Sequence, residues 1–443
     1  MSKNIGMHAA CVRNIQDDDA GNSGRTGRAS LRQLIDRLCP DGVPFVKLGD
    51  YINIYTGDQF NKRDMSTSGS YPVVNGGINP SGFIESYNEP QDTITISQGG
   101  ASAGFVAWQA TPFWAGAHCY VIKPNSKLII NRFLYFFLKN KESYLQQMQH
   151  GAGIPALNRD KVKELKFPLI PIEVQEEIVR ILNTFSAYAA SLQAELQARK
   201  EQYEYYRNLL LTFNPSACGC GTDGEQEIKV TTCGGGNYKV TWKAMGEIGK
   251  FFGGLTGKSK SDFTNGNARF ISYMNVYSNI ALNQHMDEYV CIGKDEKQNT
   301  LEYGDSIFTG SSETPDECGM SSVVTMKPTE PLYLNSFCFG FRLNDKTLFA
   351  PDFLKHLLRS KSIRSQIAKT ANGVTRFNVS KVLFAKIVLP IPPYELQVKI
   401  ASILDRFEAL VNDLTQGLPA EIAAVRERYE YYRNKLLTFK RIA

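Results

Sequence analysis

The sequence contains one long unit twice. Residues 203–213 read YEYYRNLLLTF, and residues 429–439 read YEYYRNKLLTF. A repeat of this kind predicts a single polypeptide with two similar halves. With 443 residues, the chain is long enough for two or three domains with substantial cores. A protein built from two similar halves suits a target that is itself bipartite.

The flanks of the two repeats match closely, whereas their middle portions diverge. Both middle portions consist of short strand-like runs separated by Gly, Asn and Pro, such as 93–96 and 321–325. A helical patch follows in each copy, at 133–139 and 353–359. We interpret this contrast as two divergent recognition modules on two equivalent supports. The matched positions, all at one constant offset, are Gly153 with Gly373, Asn158 with Asn378, Lys161 with Lys381, and Val162 with Val382.

A long amphipathic helix is predicted to close each repeat. Pro171 with Glu173, and Pro393 with Glu395, are typical of helix starts, because proline is tolerated in the first turn and acids suit the positive end of the helix dipole. Apolar residues then recur in alternating steps of four and three, the spacing of a heptad seam. The seam residues that we predict to pair the helices or to bind partners are Ile178, Ile181, Phe185, Tyr203, Tyr206, Ile400, Ile403, Phe407, Tyr429 and Tyr432.

The length of these helices favours pairing between them. A helix over residues 173–213 would be roughly 60 Å long, more than one small domain can cover. We therefore expect the two helices to pair with each other, in antiparallel orientation. The alternative is that both are ordinary amphipathic helices of one compact domain. The second copy has extra residues around 416–419, where Gly417 and Pro419 should bend or interrupt its helix.

The predicted fold class is α+β. We expect two globular α/β domains separated by two long antiparallel helices that form a coiled coil with pseudo-twofold symmetry. The predicted domains span 28–168 and 238–390, and the predicted helical regions span 169–213 and 391–443. Residues 1–27 read as a disordered polar tail, and 214–237 as a flexible connector rich in Gly, Cys and Thr.

Composition limits the class of protein without choosing a function. A hydrophobic content of 42% and a charged content of 21% are those of a globular protein. The net charge of +6 tolerates a polyanionic partner without requiring one. No apolar run is long enough for a membrane helix, and the first 30 residues lack a signal-peptide core, so we expect a cytoplasmic protein. Cys218, Cys220 and Cys233 fall in the connector, where loose thiols are favoured over a metal site.

Catalytic motifs come close in three places and fail in each. In the run 391–394, Ile391 replaces the polar residue with which amino-methyltransferases hold the target amine. The run 253–259 lacks one residue of the phosphate-loop spacing. Glu164 and Lys166 have no acidic partner for a nuclease site, and no histidines occur at metal-ligand spacing. We therefore expect no catalytic residue, no metal and no cofactor in this chain.

Polar loops in the divergent portions are candidates for DNA recognition. Arg, Lys, Asn and Gln make bidentate contacts with base edges, while Gly, Ser and Thr let backbone amides approach phosphates. Taken singly, each such residue is more often a solvated loop side chain, but together they gain weight as the parts that vary between otherwise equivalent halves. The candidate DNA-binding residues are Lys62, Arg63, Asn75, Gln98, Arg159, Lys258, Lys260, Arg269, Asn275, Ser311 and Arg376.

This layout resembles the specificity subunits of type I restriction-modification systems. The resemblance covers nearly the whole chain after about residue 30. It is carried twice, by 153–175 and by 373–397, each a glycine-led segment that runs into a proline-rich helix start. The repeated Tyr-Glu-Tyr-Tyr-Arg endings and the segment 417–422 add to it. The polar tail and the connector have no counterpart in this resemblance.

The resemblance implies a noncatalytic subunit that reads a split, asymmetric sequence in double-stranded DNA. Two modification subunits would dock on the helical regions and methylate adenine N6 with S-adenosylmethionine, after flipping the adenine out of the helix. Restriction subunits, using ATP and Mg, would cleave unmethylated DNA. Two alternatives are a self-sufficient restriction or methyltransferase enzyme and a coiled-coil scaffold whose domains bind proteins.

Overall fold

The computed structural model describes residues 30–151, 155–213, 226–230, 236–285, 287–412 and 417–442. For residues 62, 226–230, 236 and 237 it describes the backbone alone. The chain divides into two compact units. The first contains residues up to 193 together with 421–443, and the second contains 194–420. None of the helices in the described ranges is long and apolar enough to cross a membrane.

The part of the first unit that the structure describes contains nine strands and the helices that cover them. The described strands are β1 Phe45–Lys47, β2 Ile52–Thr56, β3 Tyr71–Val74, β4 Gly82–Ile84, β5 Thr93–Ser97, β6 Val106–Gln109, β7 Trp114–Ala115, β8 Cys119–Pro124 and β9 Lys166–Pro168. The helices are α1 Leu31–Leu38, α2 Asn131–Asn140, α3 Glu142–Gln147, α4 Arg159–Lys163 and the start of α5 Ile172–Leu210, with short 3-10 turns at Leu48–Asp50 and Lys62–Asp64.

The second unit has a similar order of elements, with additional short strands and an additional helix. Its described strands are β10 Gln226–Val230, β11 Gly236–Ala244, β12 Gly249–Gly253, β13 Ala268–Ile271, β14 Tyr289–Val290, β15 Ser306–Thr309, β16 Ser311–Ser312, β17 Ser321–Val323, β18 Leu332–Leu334, β19 Cys338–Leu343, β20 Ala371–Asn372, β21 Phe377–Val379 and β22 Val388–Ile391. The remaining helices are α6 Met245–Ile248, α7 Tyr273–Ser278, α8 Pro351–Leu358, α9 Lys361–Ala368, α10 Lys381–Phe384, α11 Tyr394–Asn412 and α12 Leu418–Leu436, and a 3-10 turn lies at Lys260–Phe263.

Sheet topology shows that the two units have the same architecture. A four-stranded antiparallel sheet has the order β2-β8-β5-β6 in the first unit and β12-β19-β15-β17 in the second. A three-stranded sheet with one parallel pair has the order β4-β3-β7 in the first and β14-β13-β18 in the second. The strand that enters each unit pairs with the strand before its long helix, as β1 with β9 and β11 with β22. The prediction of a mixed α and β fold with two repeated domains is therefore confirmed.

Aromatic side chains fill the core of each unit. In the first, Phe167 lies edge-on to Phe133 and Phe137, with ring centroids 5.9 and 5.0 Å away. In the second, Phe384 lies edge-on to Phe308 and Phe339, at 4.8 and 5.3 Å. All except Phe137 and Phe339 are completely buried, and these two are 3% exposed. The predicted helical patches are the helices α2 and α8, whose apolar faces supply part of these cores.

The structure corrects the register with which the two repeats align before their long helices. The Asn158 side chain caps α4, whereas the cap of the corresponding helix α10 is Ser380, two residues after Asn378, the predicted match of Asn158. Val162 is completely buried, but its predicted match Val382 is 73% exposed. The repeats thus correspond with a shift of two residues here. The constant offset predicted from identical residues gave the wrong register, because these residues do not occupy the same positions relative to the core.

A buried glutamine fixes the start of the first long helix. The completely buried Gln175 accepts a hydrogen bond from the Ile130 backbone N–H at 2.8 Å. Its Nε2 donates to the carbonyl oxygens of Leu128 and Ile170 at 2.8 and 2.9 Å. One side chain therefore ties the helix to the segment before α2.

The second unit repeats this anchor with Gln397. Its Oε1 accepts from the Ala350 N–H at 2.9 Å, and its Nε2 donates to the carbonyls of Leu348 and Pro392 at 3.0 and 2.8 Å. The repeated motif around 173–175 and 395–397 thus has a mechanical role, because it fixes how each long helix leaves its unit.

The first long helix is continuous and the second is interrupted. Helix α5 has 39 residues, or roughly 58 Å at 1.5 Å per residue. The second copy consists of α11 and α12, and Pro419 is the second residue of α12, a position that tolerates proline. The predicted interruption is therefore confirmed, although Gln416 lies outside the described residues.

The predicted connector 214–237 contains a strand where none was expected. Gln226–Val230 pairs antiparallel with the first half of β11, whose second half pairs with β22. The backbone pairing of β11 with β22 is therefore extended by β10, which lies within the predicted connector. The predicted connector therefore includes a paired strand at 226–230, and the predicted domain limits stay predictions. Cys218, Cys220, Cys233, Gly153 and the tail 1–27 lie outside the described residues.

Candidate nucleic-acid interface and helix junctions

Two predicted DNA-binding residues of the first unit, Gln98 and Arg159, line one open cleft. The cleft has a volume of about 330 Å³, and Tyr120, His150 and Asn158 also line it. Its floor is held by backbone pairing between the loop after β5 and the segment before α4, in which the Leu157 N–H donates to the Gln98 carbonyl at 2.7 Å. Arg159 is exposed in the first turn of α4. The structure therefore places a cation and an amide together where a ligand could reach both.

The other candidates of the first unit are not part of this cleft. Arg63 is exposed in the 3-10 turn Lys62–Asp64, and the Lys62 side chain lies outside the description. Asn75 is half-buried, and its Oδ1 accepts a hydrogen bond from the His118 N–H at 3.1 Å. Its carbonyl therefore orders two loops of the protein, which leaves only the amide nitrogen for a ligand.

In the second unit, Ser311 and Arg376 are brought together. The Arg376 Nε and Nη2 both donate to the Ser311 Oγ, at 3.2 and 3.0 Å. Strands β16 and β21, which pair antiparallel, hold the two residues at one edge. Arg376 is exposed, whereas Ser311 is buried. The serine therefore positions an arginine that solvent can reach.

Two predicted cations of the second unit are bound to carboxylates. The Lys258 ammonium donates to Glu296 Oε2 and to the Cys291 carbonyl, both at 2.6 Å, and its side chain is 9% exposed. Hydrogen bonds from Lys258 lower the pKa of Glu296 to about 2. Lys258 thus closes a loop of the protein through its ammonium group, and its predicted contact with DNA stays a prediction. Arg269 forms an ion pair with Glu330 at 3.0 Å, while Lys260 is exposed.

The predicted DNA-binding residue Asn275 is buried and hydrogen-bonded within the protein. It is 3% exposed, and its Nδ2 donates to the Asn283 carbonyl at 2.7 Å. Its Oδ1 accepts from the Asn283 N–H at 3.1 Å and from Asn279 Nδ2 at 3.2 Å. Both ends of the amide are therefore used in folding the turn after α7, and no base edge could reach them.

Two half-buried arginines that the sequence analysis missed support the loop around Ser311. Arg364 donates to the carbonyls of Asp316, Cys318 and Gly319, at 2.6 to 2.8 Å. Arg359 donates to the carbonyls of Ser321, Val276 and Tyr277. Burial lowers the pKa of both guanidinium groups, that of Arg359 to about 10. These partners lie far from the arginines in sequence, so no local pattern indicated them.

The predicted seam residues pack within their own units. In the first unit, Phe185 stacks on Tyr432 with ring centroids 5.4 Å apart, and the Tyr188 hydroxyl donates to Glu421 at 2.6 Å. In the second, Tyr206 stacks on Phe407, also at 5.4 Å. The remaining predicted residues lie in the same two clusters, fully or partly buried, namely Ile178, Ile181 and Tyr429 in the first unit and Tyr203, Ile400 and Ile403 in the second.

A buried polar chain lies beside the seam of the second unit. The completely buried His356 contacts Asp405 Oδ1 through Nε2 at 2.7 Å and the Tyr203 hydroxyl through Nδ1 at 3.1 Å. Because a carboxylate only accepts, Nε2 carries the proton and Nδ1 accepts from Tyr203. Desolvation lowers the pKa of His356. The Lys355 ammonium lies 3.0 Å from Asp405 and 3.7 Å from Glu408.

His356, Asp405 and Glu408 also have the composition of a metal site. Their potential ligand atoms all lie within 4.8 Å of one another. Sequence reasoning did not find this group, because the histidine and the acids belong to different helices. The ammonium of Lys355 already forms ion pairs with both carboxylates from within the cluster. The donor set therefore fits an internal ion-pair network better than a metal.

In the first unit, the corresponding contact between α2 and α5 is formed by different side chains. Arg132 of α2 lies over the rings of Trp108, Tyr135 and Phe136, at 4.5 to 5.0 Å from their centroids. Its Nε donates to Asn183 of α5 at 3.1 Å. Cation–π contacts and an amide hydrogen bond therefore take the place of the ion-pair network of the second unit.

Comparison with known proteins agrees with this duplicated architecture. The family model described as the type I restriction modification DNA specificity domain matches residues 40–201 and again 239–424. The Escherichia coli type I restriction enzyme EcoR124I/EcoR124II specificity subunit is 29% identical over 317 residues, which cover 70% of each chain. A Haemophilus influenzae protein, named by inference as a type I restriction enzyme specificity subunit, is 28% identical over 435 residues, covering 94% of this chain and all of its own.

Solved structures share the fold at low sequence identity. The S subunit of a type I restriction-modification system from M. genitalium superposes with a TM-score of 0.52 at 16% identity, covering 89% of this chain and 96% of its own. A chain from a study of the assembly and conformational transition of the type I R-M system has a TM-score of 0.53 at 16% identity, covering 90% and 98%. Two copies of the matching domain, arranged in two units of equal topology, show that the chain belongs to the family of type I restriction-modification DNA specificity subunits.

Proposed function

We propose that this chain is the noncatalytic subunit that recognises a bipartite, asymmetric DNA site for a type I restriction-modification complex. The observation that carries the proposal is the pairing of equal sheet topology with unequal exposed loops. The first unit offers Gln98 and Arg159 in a cleft, and the second offers Arg376 held by Ser311. Two such modules would read two different half-sites. The binding of DNA by the other exposed candidates stays a prediction.

The long helices would set the distance between the half-sites. We propose that they form an antiparallel coiled coil with pseudo-twofold symmetry. The exchanged aromatic pairs support this, because Phe185 and Phe407 are equivalent in the repeat, as are Tyr432 and Tyr206. On DNA, equivalent faces of the double helix recur every 34 to 36 Å, so a rigid spacer selects the length of the gap between half-sites.

Two modification subunits would dock on the helical regions. Tyr205 and Tyr431 occupy equivalent places in the repeated ending, and they are 63% and 60% exposed. Each ring lies edge-on to the partly buried tyrosine that follows it in the sequence, Tyr206 or Tyr432, with centroids 5.4 and 5.3 Å apart. Because the two helical regions each expose an equivalent tyrosine, each region could bind one copy of the same partner.

The chemistry would belong to the partners. In this proposal the modification subunits methylate adenine N6 with S-adenosylmethionine, and restriction subunits cleave with ATP and Mg. This chain would contribute recognition and geometry and would bind no cofactor. Because its substrate would be the double-stranded DNA of the cell, we also propose a cytoplasmic location.

Methylation sequencing tests the proposal. The full chain is coexpressed with the modification subunits of its host, and the methylated sites are determined with and without the gene for this chain. We expect methylation at one split motif that depends on the chain. Replacing 28–168 with the corresponding region of a relative should change one half-site only. Methylation of DNA by the purified chain alone with S-adenosylmethionine would instead establish the self-sufficient enzyme.

A further inference from the structure

Arg376 lies in a tight turn that fixes its backbone. The turn joins β20 to β21, whose residues Ala371 and Asn372 pair with Val379 and Asn378. Gly373 has a φ of 145°, a conformation that favours glycine, and a Cβ added there would collide with the carbonyl oxygen of Arg376. The position of the Arg376 backbone is therefore set by the turn.

The guanidinium group is held along one edge and open along the other. Ser311 Oγ accepts from Nε and from one N–H of Nη2, which uses two of the five donors of the side chain. Both hydrogens of Nη1 and one of Nη2 remain. No carboxylate of the described residues lies within ion-pairing distance of Arg376, in contrast to Lys258 and Arg269.

The loop that carries Ser311 is itself tied down. Glu317 accepts hydrogen bonds from the hydroxyls of Tyr277, Ser312 and Thr314, at 2.9, 3.3 and 3.0 Å. Arg364 donates to three carbonyls of the same loop. The arginine is therefore oriented before any ligand arrives, so little conformational entropy is lost when one binds.

The first unit has no such holder at the equivalent position. There Gly99 forms the bridge with Ala156 that corresponds to the pairing of Ser311 with Asn378. Glycine offers no hydroxyl to orient an arginine. The oriented arginine thus distinguishes two units that otherwise share their topology, as a determinant of half-site identity should.

We propose that Arg376 reads a guanine in the half-site recognised by the second unit, with Ser311 as its positioning residue. This inference rests on the proposed function. Guanine presents two acceptors, O6 and N7, to the major groove, and a guanidinium with one free N–H on each terminal nitrogen matches them. Adenine presents the N6 amino donor beside the N7 acceptor, so one N–H of the guanidinium would face the N–H of the adenine amino group. A phosphate contact would use the same charge but would carry no base information, so its loss would weaken methylation equally at all sequences.

Arg376→Lys, tested in the complete complex with the modification subunits, separates base reading from phosphate binding. The variant keeps the positive charge and loses the fork. Methylation of a plasmid library that carries every base at each position of the site is sequenced. We expect discrimination at one guanine of the second half-site to fall by about 10- to 100-fold, with the first half-site and the gap unchanged. Ser311→Ala should weaken discrimination at the same position.

Two controls make the outcome decisive. Arg342→Lys alters an arginine of the same unit that is not a DNA-binding candidate and is already paired with Glu302 and Asp305, and it should leave the motif unchanged. Unaltered thermal unfolding of the Arg376 variant would show that the unit remains folded. An unchanged motif in Arg376→Lys and Arg376→Ala, or a uniform loss of methylation across all sequences, would overturn the inference. If the wild-type complex methylates no specific sequence, the proposed function itself fails.

Discussion

The ring of Phe185 stacks on the ring of Tyr432, with centroids 5.4 Å apart and planes 26° from parallel. In the second unit Phe407 stacks on Tyr206 at the same distance, with planes 23° apart. Each pair joins the early part of one long helix to the late part of the other copy. The repeat in the sequence thus appears in the structure as a repeated contact, in which the phenylalanine of each copy stacks on the tyrosine of the other copy.

Replacing Phe185 with alanine should destabilise the protein by about 3 kcal/mol, because a nearly buried ring leaves a cavity beside the stacked tyrosine. Phe407→Ala should have a similar effect, since the contact is equivalent. Unfolding in urea measures both. Leu209→Ala, at a position 43% exposed on the same helix, is the control and should change stability by less than about 0.5 kcal/mol. Equal effects of all three variants would contradict the prediction.

Replacing Gln175 with leucine should cost about 3 kcal/mol, because two backbone carbonyls and one N–H lose a buried partner. Gln397→Leu should act in the same way on the second unit. Gln197→Ala removes an exposed glutamine whose partner lies on its own helix, and it serves as the control. Chemical denaturation gives the comparison, and a cost as small as that of the control would show that the anchors are dispensable.

Acidification should weaken the second unit through His356. Burial holds the pKa of this imidazole below its unfolded value of about 6.5, so the unfolded chain binds the proton more readily. The contribution to stability is therefore complete above that value and is lost as the pH falls below it. Lys355, Asp405, Glu408 and Tyr203 face the imidazole, and the lysine charge opposes its protonation.

The measurement is the unfolding midpoint between pH 8 and pH 5.5 for the wild type and for His356→Phe. We expect the variant to have a flatter profile over this range, whatever its absolute stability. His118→Ala, which removes an exposed histidine, should retain the wild-type slope. Identical slopes of unfolding midpoint against pH for the wild type and His356→Phe would contradict the prediction.

The spacing between half-sites should follow the length of the helices. Inserting one heptad after Leu192, with a matching heptad in the second helix, preserves the seam and lengthens both by about 10 Å. Deleting 416–419 is a second perturbation of the same kind. Methylation sequencing should show a changed gap with unchanged bases. Altered bases with an unchanged gap would argue against the helices as the spacer.

Substituting Tyr205 or Tyr431 with alanine should weaken the binding of one modification subunit in each case. An exposed aromatic anchor at an interface is worth about 2 kcal/mol or more, or roughly 30-fold in affinity. Sedimentation of the complex should show loss of one partner copy per variant and of both in the double variant. Tyr144→Ala, another exposed tyrosine outside the long helices, is the control.

The duplication, the heptad seam and the helix starts could be predicted because each is a local pattern. A heptad spacing places Ile178, Ile181 and Phe185 on one face whatever surrounds the helix, and Gly417 with Pro419 weakens a helix through backbone geometry alone. The family resemblance followed from the same patterns, in the same order, twice.

The candidate site was predicted less well, because its contacts join residues far apart in sequence. Lys258 and Asn275 have the composition of DNA-binding residues, yet Glu296 and Asn283 occupy their polar groups. Val382 matches Val162 in letter but not in burial. Side-chain type limits what a residue can bind, whereas its partners and its exposure decide whether it is available.

By itself, the sequence determined that the chain has two like units, each with a long amphipathic helix, because periodicity and repetition are properties of neighbouring residues. Only the tertiary structure decided which cations face solvent and which close loops, and that Ser311 holds Arg376 while Lys355 lies among His356, Asp405 and Glu408. Those pairings depend on how strands and helices distant in the chain come together, and burial then makes each polar partner obligatory.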